Sequence, residues 1–411
     1  LASSNHRQAI LAALDTLPPL NEVAQKLISL MNDDRSSARD LDKLISNDQA
    51  LTARILKIAN SSAYGKSRDI FRITEAVVLL GHSTITNIVL SVTVEDVVIG
   101  EHQREFAAKA WEHSLTCAAL AEGLAQITGA AEPEHAYVAG LLHDIGLLVQ
   151  DRAVPDVLHS IIARQPVDPL AMERREMGLN HAQIGLKLLD RWLLPPPLCE
   201  AVRFHHAPHH KYQRTNPLVN IIALADRLSA IAGAVIYPQI AKQDVFRLIR
   251  DIGLKDEQFS QIFATLHKSH ALTRGLREDA RIASSSADTA TEKPETDSPI
   301  VIFAADSRRQ NWYTAVLRFL GQEVIAWDKV LDGSAPQSEL EHVLIDFHGA
   351  TPENRQVLNR VVDQLALAPI VVGDIRHTPP EARWQNAPHL DEIFRETDII
   401  QAKAQSQKEV A

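Results

Sequence analysis

The sequence predicts a multidomain chain, all-α over its first 275 residues and α/β beyond residue 300. Three observations carry this. Up to about residue 275 apolar residues recur at helical spacing, with capping residues and Gly or Pro stops between the runs. From Gly275 to Pro299 large apolar residues nearly vanish, and Ser, Thr, Ala, Asp, Glu and Pro take over, as in a linker. After it, short β-branched runs alternate with helical stretches, the pattern of a parallel sheet crossed by helices.

The first hundred residues read as a bundle of short helices. Leu20, Val23, Ala24, Leu27, Ile28 and Met31 share one helical face. Ser37 opens a second helix, with Asp40 as a weak capping partner and Leu41, Leu44 and Ile45 as its buried side. Asp48 caps a third, carrying Leu51, Ile55, Leu56 and Ile58 and stopping near Gly65. Ile73 to Leu80 is a helix ended by Gly81, and Ser83 caps the next. Residues 101–275 form a second helical subdomain. Trp111 to Ile127 is amphipathic. Tyr137 to Gln150 is nearly all apolar and is expected as one central helix. Asn180 caps a helix running to Trp192, Pro195-Pro196-Pro197 stops it and restarts the next, and Leu218 to Ile236 is another apolar run. Residues 276–299 are the linker. Within 300–400, strands are expected at Ile300–Phe303, Glu323–Trp327, Val343–Ile345 and Ile370–Val372, and helices at Trp312–Leu320 and Gln356–Leu367. Residues 401–411 are a tail.

Apolar content of 45% and charged content of 23% are those of a globular chain. The formal net charge is −10, with no basic stripe, which argues against direct nucleic-acid binding. Two cysteines, Cys117 and Cys199, both in apolar helical contexts, make a disulfide framework unexpected and fit a cytoplasmic setting. The most apolar stretch, Val77 to Val98, is broken by Gly81, His82, Asn87 and Glu95 and reads as two buried helices rather than a membrane insertion.

Chemistry concentrates in one constellation. Gly140-Leu141-Leu142-His143-Asp144-Ile145-Gly146 buries an adjacent His–Asp pair in an apolar run. Buried polar and charged groups cost several kcal/mol, order ~2–7, unless partnered. A divalent cation is the evident partner. His113, His181, His205 or His206, and Asp226 also lie in apolar helical contexts. A single histidine of this kind is more often a hydrogen-bonded core residue than a ligand. The positions together point to a metal.

These strings resemble the HDOD family, a bacterial signalling branch of the HD metal-phosphohydrolase superfamily. The resemblance covers about residues 14–270. It rests on Leu17-Pro18-Pro19-Leu20-Asn21-Glu22-Val23-Ala24, on the run from Ile45 to Ser61, and on Glu75-Ala76-Val77-Val78-Leu79-Leu80-Gly81. Trp111-Glu112-His113-Ser114, the His143–Asp144 string, Asn180-His181-Ala182-Gln183-Ile184-Gly185 and Phe204-His205-His206 complete it. The resemblance implies an HD-like helical bundle behind an N-terminal one. It implies His113, His143, Asp144 and Asp226 as ligands of one ion, with His181 and His205 or His206 placed for a second. Iron, manganese or zinc suits such a set. In the superfamily the ion activates water and polarises a phosphoryl oxygen.

This chain departs from the cyclic-dinucleotide hydrolases of the superfamily in two places. Their lysine after the His–Asp–Ile–Gly string is Leu147 here, and Ala207-Pro208-His209-His210 stands where they carry Gly-Tyr-Pro. Two functions therefore stand. One is a metal-binding regulatory or scaffold module that contacts other signalling proteins. The other is a metal-dependent phosphohydrolase acting on a phosphodiester or nucleotide second messenger. Residues 300–400 resemble a degenerate response-regulator receiver, with Asp306 ending the first strand and Asp346, after Val343-Leu344-Ile345, at the phosphoacceptor position. Asp374 stands near the expected hydroxyl residue, and the lysine expected near the fifth strand is missing around Ile393-Phe394-Arg395.

Overall fold

The computed structural model describes residues 2–30, 43–46, 48–60, 70–99, 105–166, 168–207, 216–229, 236–237, 245–259, 261–262, 300–304, 309–311, 313–315, 324–327, 330, 342–346 and 368–372. The chain divides into two compact units. The first comprises Leu1–Ile240, Arg247–Gly253 and Ala264–Ser285, and the second Ala241–Phe246, Leu254–Phe263 and Ser286–Ala411.

The helices, in order, are α1 (Ala2–Thr16), α2 (Glu22–Leu30), α3 (Gln49–Ala59), α4 (Ile73–Leu80), α5 (His82–Val98), α6 (Glu105–Thr128) and α7 (Pro133–Leu142). They continue with α8 (Ile145–Ala153), α9 (Pro155–Ala163), α10 (Pro169–Met177), α11 (His181–Arg191), α12 (Pro196–Phe204), α13 (Pro217–Ser229) and α14 (Val245–Asp251). Among the described residues no helix is long and apolar enough to cross a membrane.

Helix α1 lies ahead of the first helix expected from the sequence. It packs on α8 and α10. Ile10 and Leu14 are buried there. The Arg191 guanidinium donates to the Leu14 carbonyl, and the Trp192 indole donates to the Pro18 carbonyl at 3.2 Å. The chain's start is thereby tied to the end of α11.

Helices α2, α3 and α4 pack on α5. Leu27 and Ile28 are buried as the spacing predicts. The Asp48 carboxylate accepts the Leu51 N–H at 3.0 Å, the expected cap. Of the helix expected from Ser37, residues 43–46 are described and helical, with Ile45 fully buried; α3 ends at Ala59, ahead of the stop expected near Gly65. Asn60 accepts the Ile70 N–H at 2.8 Å and donates to the Ile70 carbonyl at 2.7 Å. This paired contact closes the loop after α3 and gives a use to a polar residue that reads as a helix end. Gly81, at φ 91°, breaks α4 from α5 as expected. Ser83 is not the cap of α5, which begins one residue earlier, at His82. Its hydroxyl donates instead to Glu122 Oε1 at 2.9 Å, because α6 brings that carboxylate within reach.

The centre of the first unit is α6, packed on α7 and α13. The expected single helix over 137–150 is two helices. α7 ends at Leu142 and α8 starts at Ile145. Asp144 sits between them at φ −104°, ψ 14°, outside helical geometry. The His143–Asp144 pair is therefore at a buried turn, where two adjacent side chains can face the same point. Asn180 caps α11 in a capping box with Gln183, and Pro196 opens α12, both as expected. α13 covers the first part of the Leu218–Ile236 run; residues 230–235 lie outside the described set.

In the second unit β1 (Ile300–Ala304), β2 (Val324–Ala326), β3 (His342–Asp346) and β4 (Ala368–Val372) form a parallel sheet. Their order is β2-β1-β3-β4. The strands fall on the expected runs, and Val301 and Ile302 are fully buried. Among the described residues all three strand pairings are parallel, which requires crossover connections. Of the helix expected at 312–320, residues 313–315 are described and helical, whereas 356–367 lies outside the described residues. So do the linker 276–299, the tail, Asp306, Asp374 and the segment around Ile393.

Candidate metal centre

Four helices and two turns supply the side chains. His113 projects from the middle of α6, and Asp226 from near the end of α13. His143 and Asp144 occupy the α7–α8 turn, and His181 is the first residue of α11. His205 closes α12, and His206 follows it. Two close approaches make this convergence possible. A Cβ on Gly140 would lie 2.6 Å from the Ala118 Cα, so α7 can pass this near α6 only with glycine there. A Cβ on Gly146 would lie 2.0 Å from the His181 carbonyl oxygen. The glycines of the Gly140–Gly146 string are thus packing devices that bring His113 and His181 to the His143–Asp144 turn.

All seven residues singled out in the sequence meet at one buried place. Asp144 is at its centre. Its Oδ2 lies 3.4 Å from His113 Nε2 and 3.5 Å from His143 Nε2. Its Oδ1 lies 3.4 Å from both His181 Nε2 and His205 Nε2. Asp226 spans the same two sides more loosely, with Oδ1 3.3 Å from His113 Nε2 and Oδ2 3.7 Å from His206 Nδ1. Two groups with metal-ligand spacing follow, His113–His143–Asp144 and Asp144–His181–His205–His206, with ligating atoms within 4.8 Å of one another in each. Both His205 and His206 face inward, a question the sequence leaves open. The Asp346 position is elsewhere, as the last residue of β3, in register with Ala304 and Val372.

The ring orientations are fixed from outside. His143 Nδ1 donates to the Gly140 carbonyl, and His205 Nδ1 to the Val202 carbonyl, each at 2.7 Å. The Ser229 hydroxyl donates to the Asp226 carbonyl at 2.6 Å, which leaves its oxygen to accept from His113 Nδ1 at 3.1 Å. His181 Nδ1 donates to Glu173 Oε1 at 2.9 Å. With a proton held on Nδ1, the neutral form of each ring has its Nε2 bare toward the centre, the form a metal requires.

The electrostatics show what the cluster lacks. Burial opposes charge on Asp144, but the surrounding imidazoles, His143 and His181 foremost, outweigh it and hold the carboxyl well below its usual range. Asp226 is lowered in the same way, burial being overcome chiefly by the hydrogen bond from His113. Burial also opposes charge on His113, yet its hydrogen bonds to Asp144 and Asp226 raise it to about 10. His181 rises to about 9 against burial because Glu173 and Asp144 adjoin it. His143 falls to about 4, mainly through burial. Without a metal, protons on His113 and His181 offset the buried carboxylates. Four inward atoms still have no hydrogen-bond partner among the described residues: Asp144 Oδ1, Asp226 Oδ2, His205 Nε2 and His206 Nδ1. Orphaned buried polar atoms of this number need an explanation. A divalent ion on each side of Asp144 would use every one of these atoms, and an imidazole–carboxylate donor set fits iron, manganese or zinc.

Glu173, Ser229 and the Gly140 and Val202 carbonyls are the functional groups that sequence reasoning missed. Ser229 carried a signal, being three residues after Asp226 on the same helical face. Glu173 carried none. It lies in Met172-Glu173-Arg174-Arg175-Glu176, which reads as a solvated face, yet it is fully buried. Tyr237, also buried, stacks its ring 6.2 Å from that of His181.

Residues 17–208 match the model of the HDOD domain. A protein of Treponema pallidum (strain Nichols) is 29% identical over 234 residues, or 56% of this chain. The match spans only 45% of that relative's length. Among solved structures, an HDOD domain protein from Geobacter sulfurreducens aligns with a TM-score of 0.55 at 23% identity, over 66% of this chain and 98% of its own. A "putative signal transduction protein" from Marinobacter aquaeolei VT8 aligns with a TM-score of 0.56 at 21% identity, over 67% of each chain. A "putative phosphohydrolase" from Shewanella amazonensis SB2B aligns with a TM-score of 0.50 at 24% identity, over 66% of this chain and 99% of its own. At these identities the likeness is one of fold.

Proposed function

We propose that this chain, whose residues 17–208 form an HDOD domain, is a cytoplasmic signal-transduction module with a helical core organised around a two-ion centre. The observation that supports it most directly is Asp144, which aims one oxygen at His113 and His143 and the other at His181 and His205, all at 3.4–3.5 Å. A carboxylate so shared is suited to bridging two cations. When bound, such ions act as Lewis acids and as a template for oxygen ligands. The chain's own residues hold the donors, fix the ring tautomers and exclude water. All seven side chains are at most 10% exposed, and His143, His181 and His205 are fully buried. A site closed in this way favours a regulatory or scaffold role, in which the ions stabilise a surface that other signalling proteins contact.

The second reading is a metal-dependent phosphohydrolase acting on a phosphodiester or nucleotide second messenger. The paired ion positions favour it, since two-ion centres clamp the attacking and leaving oxygens of a phosphoryl transfer. Leu147 weighs against it, being fully buried in α8 and offering no cation to a substrate phosphate. One experiment separates the readings. Protein purified without chelator is assayed for metal by elemental analysis and for hydrolysis of bis-p-nitrophenyl phosphate and cyclic dinucleotides. Two equivalents without turnover support the module, and two equivalents with turnover support the hydrolase. No metal refutes both.

For the second unit we propose a receiver-like interaction module, supported by the strand order β2-β1-β3-β4 and by Asp346 at the C-terminal end of β3. Ligands in such sheets lie beyond the strands' carboxyl ends. Incubation with acetyl phosphate and Mg²⁺ followed by intact mass measurement tests Asp346 as a phosphoacceptor. A mass gain that persists in Asp346→Ala refutes that role.

A further inference from the structure

We infer that Glu173 is a positioning residue for the ion position on the His181 side, and that it makes the two positions unequal in affinity. The inference rests on the two-ion reading and deepens it. Three of the inward histidines lean on uncharged acceptors: His143 on the Gly140 carbonyl, His205 on the Val202 carbonyl and His113 on the Ser229 hydroxyl. His181 alone among these four leans on a carboxylate. Glu173 is fully buried and both of its oxygens are committed to the contact. Oε1 accepts from His181 Nδ1 at 2.9 Å, and Oε2 accepts the His181 backbone N–H at 2.7 Å. Gln150 Nε2 donates to Oε2 at 3.1 Å. With both Glu173 oxygens accepting, His181 carries a proton on Nδ1, which leaves Nε2 as the nitrogen that can face an ion. The charge also makes Nε2 a stronger donor to an ion than a carbonyl-backed ring. The carboxylate comes from α10, whereas the histidine opens α11, so the contact sets the angle at which the capping-box turn delivers His181 to the centre.

Glu173→Gln tests this sharply. Its amide oxygen can still accept the His181 N–H. Its NH₂ then stands beside Nδ1 in place of Oε1 and competes with the amide oxygen, whose position is 3.0 Å from Nδ1, so the ring proton shifts toward Nε2, the ligating atom. Full-length protein is stripped with chelator and titrated with Co²⁺, read by the ligand-field absorption and by calorimetry. Wild type takes up two equivalents. Glu173→Gln weakens one of them by about 10–100-fold, as loss of a histidine's outer partner does, and leaves the other unchanged. A His143→Ala background identifies which one. There a single equivalent remains; Glu173→Gln weakens it, whereas Ser229→Ala does not. Melting of the stripped protein controls for folding: the stripped Glu173→Gln variant keeps one cooperative transition above the titration temperature, at a lower Tm than the stripped wild type because His181 loses its buried carboxylate partner. If Glu173→Gln weakens both equivalents alike, or neither, while wild type binds two, the assignment of Glu173 is overturned and the two-ion reading stands. If wild type binds none, both are overturned.

Discussion

Asp144→Asn isolates the shared carboxylate. Asp144 is the one side chain common to both ligand groups, with four imidazole nitrogens at 3.4–3.5 Å. Asparagine keeps the volume but has one oxygen and one NH₂, so it can serve at most one side as a ligand. Its NH₂ can donate to the bare Nε2 atoms on the other side. In the metal-free protein the charged His113 and His181 lose a buried counter-charge, so the metal-free variant should lie below the metal-free wild type, by up to about 3–5 kcal/mol. The loaded proteins should differ further. An ion at 100 times its Kd stabilises the folded state by about 2.7 kcal/mol, so two contribute about 5 kcal/mol. For a helical domain of this size each kcal/mol is worth roughly 2–4 °C, giving a wild-type Tm about 10–20 °C higher with metal than with EDTA. Asp144→Asn should show little of that difference. Differential scanning fluorimetry with and without EDTA, paired with elemental analysis, measures it. A wild-type Tm indifferent to EDTA, or a variant as EDTA-sensitive as wild type, would refute the shared-carboxylate argument.

Gly146→Ala drives a Cβ to 2.0 Å from the His181 carbonyl oxygen and 2.7 Å from its carbon, backbone atoms that cannot yield cheaply. A loss of about 3 kcal/mol in urea denaturation is expected, at the upper end for overpacking; a loss under about 0.5 kcal/mol would show that α8 and α11 can separate. Asn180→Ala removes the side chain that accepts the Gln183 N–H at 2.9 Å in the α11 capping box. It should cost about 1 kcal/mol by the same assay. Leu193 is 88% exposed and sits at φ 58°, where a side chain is strained. Leu193→Gly relieves that strain of roughly 1–2 kcal/mol and should leave the Tm unchanged or higher; a fall in Tm would mean that the leucine makes a contact of its own. Burial pushes the Cys117 thiol well above its usual range, and burial foremost raises that of Cys199 to about 11. Iodoacetamide at pH 8 should therefore alkylate neither in the native protein and both in urea, by mass spectrometry.

Much of the fold is legible in the chain because helix starts and stops are local. Asp48, Asn180, Gly81 and Pro196 each act within three or four residues, and each does in the structure what its residue type predicts. The misreadings are where a tertiary partner outcompetes a local one. Ser83 leaves the cap for Glu122, thirty-nine residues away, because a half-buried carboxylate is a strong acceptor. The apolar run from Tyr137 to Gln150 gives no sign of its break, since periodicity is blind in a helix buried on every side.

The candidate ligands rest on two readings: the adjacent His143–Asp144 pair in an apolar run needs a partner, and the resemblance to the HDOD family implies the positions that would share it. The sequence likewise predicts helices up to about residue 275 and strands beyond residue 300, from a change of hydrophobic period, and parallel strands are found at Ile300–Ala304, Val324–Ala326, His342–Asp346 and Ala368–Val372. Only the tertiary structure decided which ligands face which. Asp144 is divided between two pairs of histidines, His205 and His206 both turn inward, and Glu173 leaves a charged run to stand behind His181. The pairings of Asp144 with His113, His181 and His205 and of Glu173 with His181 span 8 to 61 residues of chain. They depend on the path of the backbone through Gly140 and Gly146, where the approach of two helices to within a missing Cβ sets the geometry. Residue types and their spacing record a need for a partner; distance and direction in the folded chain determine which partner meets it.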